Sequence, residues 1–219
     1  MIAARRDFAD RQAVASALAQ EISQRLDKAV SNNGNAVIAV SGGTTPRLFF
    51  NGLSCKSVEW PRVTVTLVDE RCVPDDNERS NARLVKTHLV VNSAAAAKFV
   101  PLFNNEAAAA KLGHFDAVVL GMGTDGHTAS FFPGGDRLAE ALDRSGAARI
   151  VAMRTPAAGE PRLTFTLRAL LDTEFIALHI EGEEKAHVLA DALQPGPVEA
   201  MPIRAFLTVP EPITVYWSP

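Results

Sequence analysis

The sequence predicts an α/β fold, in which a mostly parallel β-sheet forms one domain with helices on both of its faces. Two observations support this prediction. Short apolar runs of strand length alternate along the chain with segments of helical periodicity, and no internal repeat interrupts them. The length of 219 residues suits a single domain over residues 1–219, and the proline-rich segment near 195–202 is interpreted as a loop rather than a linker.

Composition narrows the classes of partner and the compartment. The net charge of −3 and the pI near 6.0 argue against a nucleic-acid partner, which usually requires a basic surface. Cys55 and Cys72 have no metal-ligand spacing and are expected to be free thiols in a reducing compartment. Neither a signal peptide nor an apolar run of the ~20 residues that span a bilayer is visible, so the expected location is cytoplasmic, without membrane contact.

The first half of the chain predicts a helix and two buried strands. Apolar residues recur every fourth position over residues 10–30, which indicates an amphipathic helix with Asp10 as its N-cap. The apolar run at residues 36–40 predicts a strand, and a helix follows with Thr45 as N-cap and Pro46 as first residue. Residues 63–68 predict the next strand, and Ser80 is expected to cap the helix after it.

The turn after the strand at 36–40 is the first candidate for binding an anion. It contains Ser41, Gly42, Gly43 and Thr44, directly before a helix N-terminus. Free backbone N–H groups and the helix dipole favour a phosphate there, and the hydroxyls add donors. The alternative is a tight strand-to-helix turn without a ligand.

The strand at 63–68 leads into a charged segment, Asp69-Glu70-Arg71. In a parallel sheet these residues point to the same edge as the glycine turn. A surface cluster of ion pairs is the alternative, and it is the commoner fate of such charges.

The strand at 116–120 precedes the most informative segment of the chain, residues 121–133. Glycines at 121, 123 and 126 surround Asp125 and His127. Glycine allows close approach of a backbone to a ligand, and histidine is the side chain whose ordinary pKa lies nearest neutrality, which suits a general base. A glycine-rich turn with a surface histidine is the alternative.

The second half of the chain predicts further alternation of strands and helices. A helix is expected at 136–148 and strands at 150–153, 161–167, 174–180, 205–209 and 213–217. Lys185 falls in the first turn of the helix after 174–180, where the helix dipole disfavours a cation unless an anion is near. It is therefore a ligand candidate, with a solvated surface lysine as the alternative, whereas His179 is interpreted as a core or edge residue.

These motifs together resemble the 6-phosphogluconolactonase family, in the superfamily of glucosamine-6-phosphate deaminase and ribose-5-phosphate isomerase. The resemblance covers almost the whole chain and rests on residues 41–46, 69–74 with Ser80-Asn81, 121–133, 161–164 and 182–185. Thr44 and Phe131 stand where serine and leucine are common, and neither exchange should affect the chemistry. The resemblance implies a Rossmann-like three-layer fold of the sugar-phosphate isomerase/CoA-transferase-like kind.

The resemblance also implies an activity and roles for particular residues. The activity is hydrolysis of 6-phospho-D-glucono-1,5-lactone to 6-phosphogluconate in the oxidative pentose phosphate pathway, without metal or cofactor, by a monomer or weak homodimer. The expected catalytic residues are His127, Asp125, Arg71 and Asp69. The residues expected to hold the phosphate are Ser41, Gly42, Gly43, Thr44, Arg162 and Lys185.

Two alternatives to the hydrolase remain open at this point. An isomerase or deaminase acting on a sugar 6-phosphate would use the same phosphate site, with Asp69 as the base. A non-catalytic sugar-phosphate sensor usually carries an additional DNA-binding domain, for which this chain has no spare length, and it would be expected to lack His127.

Overall fold

The chain forms a seven-stranded parallel sheet with a smaller three-stranded antiparallel sheet beside it. The computed structural model describes residues 2–210 and 212–219. The strands are β1 (Ile2–Asp7), β2 (Ala36–Val40), β3 (Val63–Leu67), β4 (Asp69–Arg71), β5 (Lys98–Val100), β6 (Ala117–Leu120), β7 (Ile150–Met153), β8 (Arg162–Phe165), β9 (Ile176–Glu181) and β10 (Ile213–Ser218). The helices are α1 (Arg11–Asn33), α2 (Arg47–Ser54), α3 (Asn81–His88), α4 (Glu106–Ala109), α5 (Leu138–Leu142), α6 (Leu167–Leu171), α7 (Glu183–Ala192) and α8 (Arg204–Leu207).

The order of strands in the large sheet indicates where a ligand-binding site is expected. The order is β1-β10-β9-β6-β2-β3-β5, so the chain builds outward from β2 in one direction and from β6 in the other. Open parallel sheets bind ligands where the order reverses, beyond the carboxyl ends of the strands. The turns that follow β2 and β6 meet at this point, and the predicted fold class is confirmed.

The core lies between the large sheet and its helices. The apolar side chains of α1 at Val14, Leu18, Ile22 and Leu26 are fully buried, as their spacing of four residues predicts. The Asp10 carboxylate accepts a hydrogen bond of 2.8 Å from the Ala13 N–H and caps this helix. No helix in the described ranges has both the length and the apolar character needed to cross a membrane.

The strand predicted at 63–68 ends one residue early, and that difference creates the second sheet. The Val68 N–H donates to the Val40 carbonyl in the large sheet, whereas the Val68 carbonyl accepts from the Phe165 N–H in the small one. The chain therefore changes sheets at Val68. The charged segment becomes strand β4, paired antiparallel with β8, which in turn pairs with β7.

The strand predicted at 205–209 is wrong, because this segment forms the helix α8. The buried Arg204 donates hydrogen bonds to the carbonyls of Asp191 and Ala192 at the carboxyl end of α7, and to the carbonyl of Pro197. A short apolar run does not distinguish a buried strand from a buried helix. Here the segment is a helix, and its first residue, Arg204, contacts the end of α7.

Other predicted elements differ in their bounds. Helix α2 begins at Arg47 with Pro46 at the N-cap position, so Thr45 is not its cap. Helix α5 is far shorter than residues 136–148. Strands β1 and β5 carry little apolar periodicity and were not expected; both lie at edges of the large sheet, where only one neighbour is needed.

Candidate active site

A cavity of about 350 Å³ opens where the turns after β2 and β6 meet. All the residues predicted from sequence line it except Asp125, which lies behind His127. Its predicted lining residues are Ser41, Gly42, Gly43, Thr44, Asp69, Arg71, His127, Arg162 and Lys185. The cavity also receives Asn81, Phe132 and His179, to which the sequence analysis gave no role in a site.

The first glycine turn is fixed to the histidine segment through Ser41. The Ser41 hydroxyl donates to the Val119 carbonyl at 3.0 Å and accepts from the Gly121 N–H at 2.9 Å. Its proton is therefore used inside the protein, and Ser41 joins the two turns. Gly43 has φ of 94°, a conformation that favours glycine. Thr44 offers a hydroxyl that makes no hydrogen bond to any described residue, so it is free for a ligand.

Asp69 and Arg71 enter the cavity from β4. The buried Asp69 carboxylate accepts a hydrogen bond of 2.6 Å from the Ser130 hydroxyl, which ties β4 to the histidine segment. The Arg71 guanidinium donates through Nη1 to the Arg79 carbonyl and, at 3.0 Å, to the Asn81 side-chain oxygen.

Two arginines stand side by side in the cavity wall. Arg71 and Arg162 are directly opposite each other in the antiparallel pair of β4 and β8, so their side chains lie on the same face. Burial is the main cause that lowers the pKa of Arg162, the nearby Asp69 opposes it, and Arg71 lowers it further. Among the described residues the buried Nε atoms of both arginines have no partner. Both arginines line the cavity, so their positive charges would attract an anion there.

The histidine segment forms a base and its orienting carboxylate. The Asp125 carboxylate lies 2.6 Å from Nδ1 of His127 and accepts from the His127 backbone N–H at 3.0 Å. The side-chain hydrogen bond from His127 is the largest cause that holds the pKa of Asp125 below its ordinary value. An ionised carboxylate only accepts, so a neutral imidazole paired with it through Nδ1 carries its proton there and has its lone pair on Nε2.

Gly123 makes room for this pair. A Cβ at position 123 would lie 2.3 Å from the His127 ring and 2.8 Å from an Asp125 carboxylate oxygen. On another side the imidazole contacts Phe132, with ring centroids 4.5 Å apart. The Arg162 guanidinium also lies over Phe132, 5.6 Å from the ring centroid. Phe132 thus provides a common apolar surface for His127 and Arg162.

Lys185 reaches the cavity from the first turn of α7. Burial is the main cause that lowers its pKa, and the carboxylates of Glu181 and Glu184 oppose that shift. None of the described carboxylates lies within ion-pair distance of its ammonium group. A half-buried lysine without an internal partner is suited to hold an anionic ligand.

The residues that the sequence did not single out support these groups. Asn81 holds Arg71, Ser130 holds Asp69, and the Thr128 hydroxyl donates to the Gly121 carbonyl at 2.7 Å. Their only signal in the sequence was their place within the quoted motifs, because a local pattern does not show which polar atom each of them contacts. His179 is buried, as a core position requires, but it also forms part of the cavity wall.

Comparison with known proteins agrees with this geometry. The family model for glucosamine-6-phosphate isomerases/6-phosphogluconolactonase matches residues 9–217. The chain belongs to this family. A 6-phosphogluconolactonase of Rhizobium meliloti (strain 1021) is 51% identical over 225 residues, which covers 97% of both chains. One of Pseudomonas putida is 39% identical over 224 residues, covering 97% of this chain and 92% of its own.

Solved structures of the family share the fold over the whole chain. The crystal structure of a 6-phosphogluconolactonase from Shewanella baltica OS155 superposes with a TM-score of 0.94 at 41% identity, covering 99% of this chain and 97% of its own. A monomeric glucosamine-6-phosphate deaminase superposes with a TM-score of 0.80 at 16% identity, covering 98% of this chain and 97% of its own, and shows the fold alone. The family resemblance predicted from the motifs is confirmed.

Proposed function

We propose that the chain hydrolyses 6-phospho-D-glucono-1,5-lactone to 6-phospho-D-gluconate, with His127 as the base that activates water. One observation carries this proposal. His127, oriented by Asp125 through Nδ1, lies in the same cavity as two adjacent arginines and a half-buried lysine. A base next to a site for a dianion suits a phosphorylated ester. The relatives named above as 6-phosphogluconolactonases support the choice of this lactone as the ester.

The phosphate is held by the cationic side of the cavity. The backbone of the turn at Gly42 and Gly43 and the hydroxyl of Thr44 donate to its oxygens, beside the N-terminus of α2. Lys185 and Arg162 supply positive charge without being neutralised by a contacting carboxylate of their own. Ser41 contributes by fixing the turn, since its proton is donated to Val119.

The chemical step begins at Nε2 of His127. It removes a proton from a water molecule as the water oxygen bonds to C1 and the carbonyl electrons move onto the carbonyl oxygen. The tetrahedral intermediate then collapses, the bond from C1 to the ring oxygen breaks, and the imidazolium returns its proton to that oxygen. The new carboxylic acid ionises and releases one proton. A general base of this kind contributes roughly 10² to 10⁴-fold.

Asp125 and Arg71 assist this step. Asp125 holds the imidazole in the tautomer that leaves Nε2 free, and its charge stabilises the imidazolium. Arg71 stabilises the negative charge of the bound substrate or of its intermediate. A loss in kcat on replacing Arg71 would assign it to the oxyanion, whereas a rise in KM with kcat unchanged would assign it to the phosphate.

The test is the rate of acid release from freshly generated 6-phosphogluconolactone. Because this lactone also hydrolyses without an enzyme, wild type, His127→Ala and a blank are compared. We expect wild type to exceed the blank by a wide margin and His127→Ala to fall by roughly 10² to 10⁴-fold. His88→Ala is the matched control, because His88 lies on α3 and is not among the residues lining the cavity.

If wild type matches the blank, the hydrolase proposal is wrong. Glucosamine 6-phosphate and ribose 5-phosphate would then be tried as substrates for a deaminase or isomerase with Asp69 as the base. If wild type is active and His127→Ala retains that rate, the ester is right but the base is not His127.

A further inference from the structure

The neighbours that hold the Arg71 side chain are unusual for a half-buried arginine. Arg71 donates from Nη1 to two acceptors, the Arg79 carbonyl and the Oδ1 atom of Asn81, and neither carries a formal charge. Buried arginines are commonly paired with carboxylates, which orient the guanidinium and also cancel much of its charge. Amide and carbonyl oxygens orient it and leave the charge available to a ligand.

Asn81 is itself fixed through both polar atoms of its side chain and through its backbone N–H. Its Nδ2 donates to the Asp69 carbonyl at 3.0 Å, which fixes which end of the amide faces Arg71. Its backbone N–H donates to Glu70 Oε1 at 2.8 Å. The amide is 3% exposed, so it has almost no freedom to turn.

Glu70 locks the start of α3 and therefore the position of Asn81. Its buried carboxylate accepts from the backbone N–H groups of Arg71, Asn81 and Ala82 at 2.6, 2.8 and 2.6 Å, and from the Ser80 hydroxyl at 3.2 Å. The hydrogen bonds from the backbone lower the pKa of Glu70, but burial is the larger effect and raises the pKa above its ordinary value. This carboxylate is 1% exposed and acts inside the protein, whereas Asn81 reaches the cavity.

The same amide also sets the shape of the first glycine turn. A Cβ built on Gly42 would lie 1.9 Å from Oδ1 of Asn81 and 2.1 Å from its Cγ. The amide therefore occupies the space beside Gly42, and it contacts the turn expected to hold the phosphate as well as Arg71. Asn81 connects the two anion-binding parts of the cavity.

We propose that Asn81 is a positioning residue, which holds Arg71 in the cavity through an uncharged acceptor so that its guanidinium stays oriented and un-neutralised for the substrate. The identity of the substrate in this proposal rests on the proposed function, whereas the contact between Asn81 and Arg71 does not depend on it. An unrestrained arginine would lose side-chain entropy on binding, and a carboxylate at position 81 would compete with the ligand.

A double-mutant cycle tests whether Asn81 acts through Arg71. Lactone hydrolysis is measured for wild type, Asn81→Ala, Arg71→Ala and the double variant. We expect Asn81→Ala to lose roughly tenfold in kcat/KM, which is the lower end for a hydrogen bond to a charged group. In the Arg71→Ala background the same change should cost less than about twofold. An equal loss in both backgrounds would overturn the proposal, because Asn81 would then act without Arg71, through the glycine turn or the fold.

Asn81→Asp tests the requirement for an uncharged acceptor. It keeps the size of the side chain and an oxygen beside Arg71, but it adds a negative charge and replaces the Nδ2 donor to the Asp69 carbonyl with an oxygen. We expect a loss of about tenfold or more in kcat/KM. The matched control is Asn51→Asp, the same change at an exposed position on α2, which should have no effect. Wild-type activity in Asn81→Asp would show that the charge does not matter and would refute this part of the proposal.

A measurement without turnover separates this proposal from the proposed function. The Nε–H signal of Arg71 is assigned in a ¹H–¹⁵N NMR spectrum by its absence in Arg71→Lys, and its order parameter is measured in wild type and in Asn81→Ala. We expect the side chain to be ordered in wild type and clearly more mobile in the variant. This result would support the positioning role even for a protein inactive on the lactone, whereas an unchanged order parameter would refute it.

Discussion

Replacing Asp125 with asparagine tests the pairing on which the proposed chemistry depends. The carboxylate accepts from Nδ1 of His127 at 2.6 Å and from the His127 backbone N–H at 3.0 Å. An amide at this position can donate its N–H to Nδ1 instead. The imidazole would then carry its proton on Nε2, and it could not act as a base from that atom.

The expected loss follows from the exposure of the pair. A hydrogen bond to a charged group contributes about 1.5 to 3 kcal/mol, and the general base as a whole contributes at most ~10⁴-fold. The two side chains are 31% and 46% exposed, so solvent screening places the effect at the lower end of that range. We expect Asp125→Asn to lose roughly 10- to 30-fold in kcat, with KM little changed, and less than His127→Ala loses.

The assay is the steady-state rate of acid release as a function of pH. Asp143→Asn is the matched control, because Asp143 also accepts from the backbone N–H and the side chain of the residue two positions later, at Ser145. It should leave kcat unchanged. A kcat for Asp125→Asn equal to that of wild type would refute the orienting role, and a loss equal to that of His127→Ala would show that the pair acts as one unit.

The same pair predicts a change in stability with pH. His127 holds the pKa of Asp125 below its ordinary value of 3.8, so the contact stabilises the fold fully above that value. The contribution is lost as the pH falls through the lowered pKa. In Asp125→Asn this part of the acid dependence of the free energy of unfolding should be absent, as measured by urea denaturation between pH 2 and pH 7.

Three further substitutions address other parts of the cavity. Gly42→Ala places a Cβ 1.9 Å from Oδ1 of Asn81 and should lower the free energy of unfolding by about 1 to 3 kcal/mol with loss of most activity, whereas Gly113→Ala, with no atom within 4 Å, should be harmless in urea denaturation and in the rate assay. Lys185→Met removes a cation whose pKa is lowered by burial, and below that pKa the charge costs stability. The variant should therefore melt about 1 to 3 °C higher than wild type at pH 7, and the two melting temperatures should converge above pH 10.5. It should also bind inorganic phosphate more weakly in calorimetry. Ser130→Ala removes the donor to the buried Asp69 carboxylate and should cost about 1 to 3 kcal/mol in urea denaturation, and an unchanged midpoint would show that this contact is not stabilising.

The sequence by itself determined the fold class and the charged side chains that line the cavity. Apolar runs such as residues 36–40 and 117–120 have to be buried on both faces, which requires a parallel sheet with helices. The apolar stripe of α1 has a period that only a helix satisfies, and the Asp10 cap is likewise a local pattern. Because parallel strands end at the same edge, the polar segments that follow them meet in space, and this placed His127 and Lys185 in one cavity.

Only the tertiary structure decided how these groups are held. The pairing of Arg71 with Arg162 follows from a change of sheet at Val68, which local sequence does not encode. The hydrogen bonds from Ser130 to Asp69 and from Arg71 to Asn81 join residues that are 61 and 10 positions apart. The helix α8 lies where the apolar run allowed a strand, and its Arg204 caps a helix from another part of the chain. Periodicity reports which face of a segment is buried, whereas the partner of a polar atom is set by which segments the fold brings together.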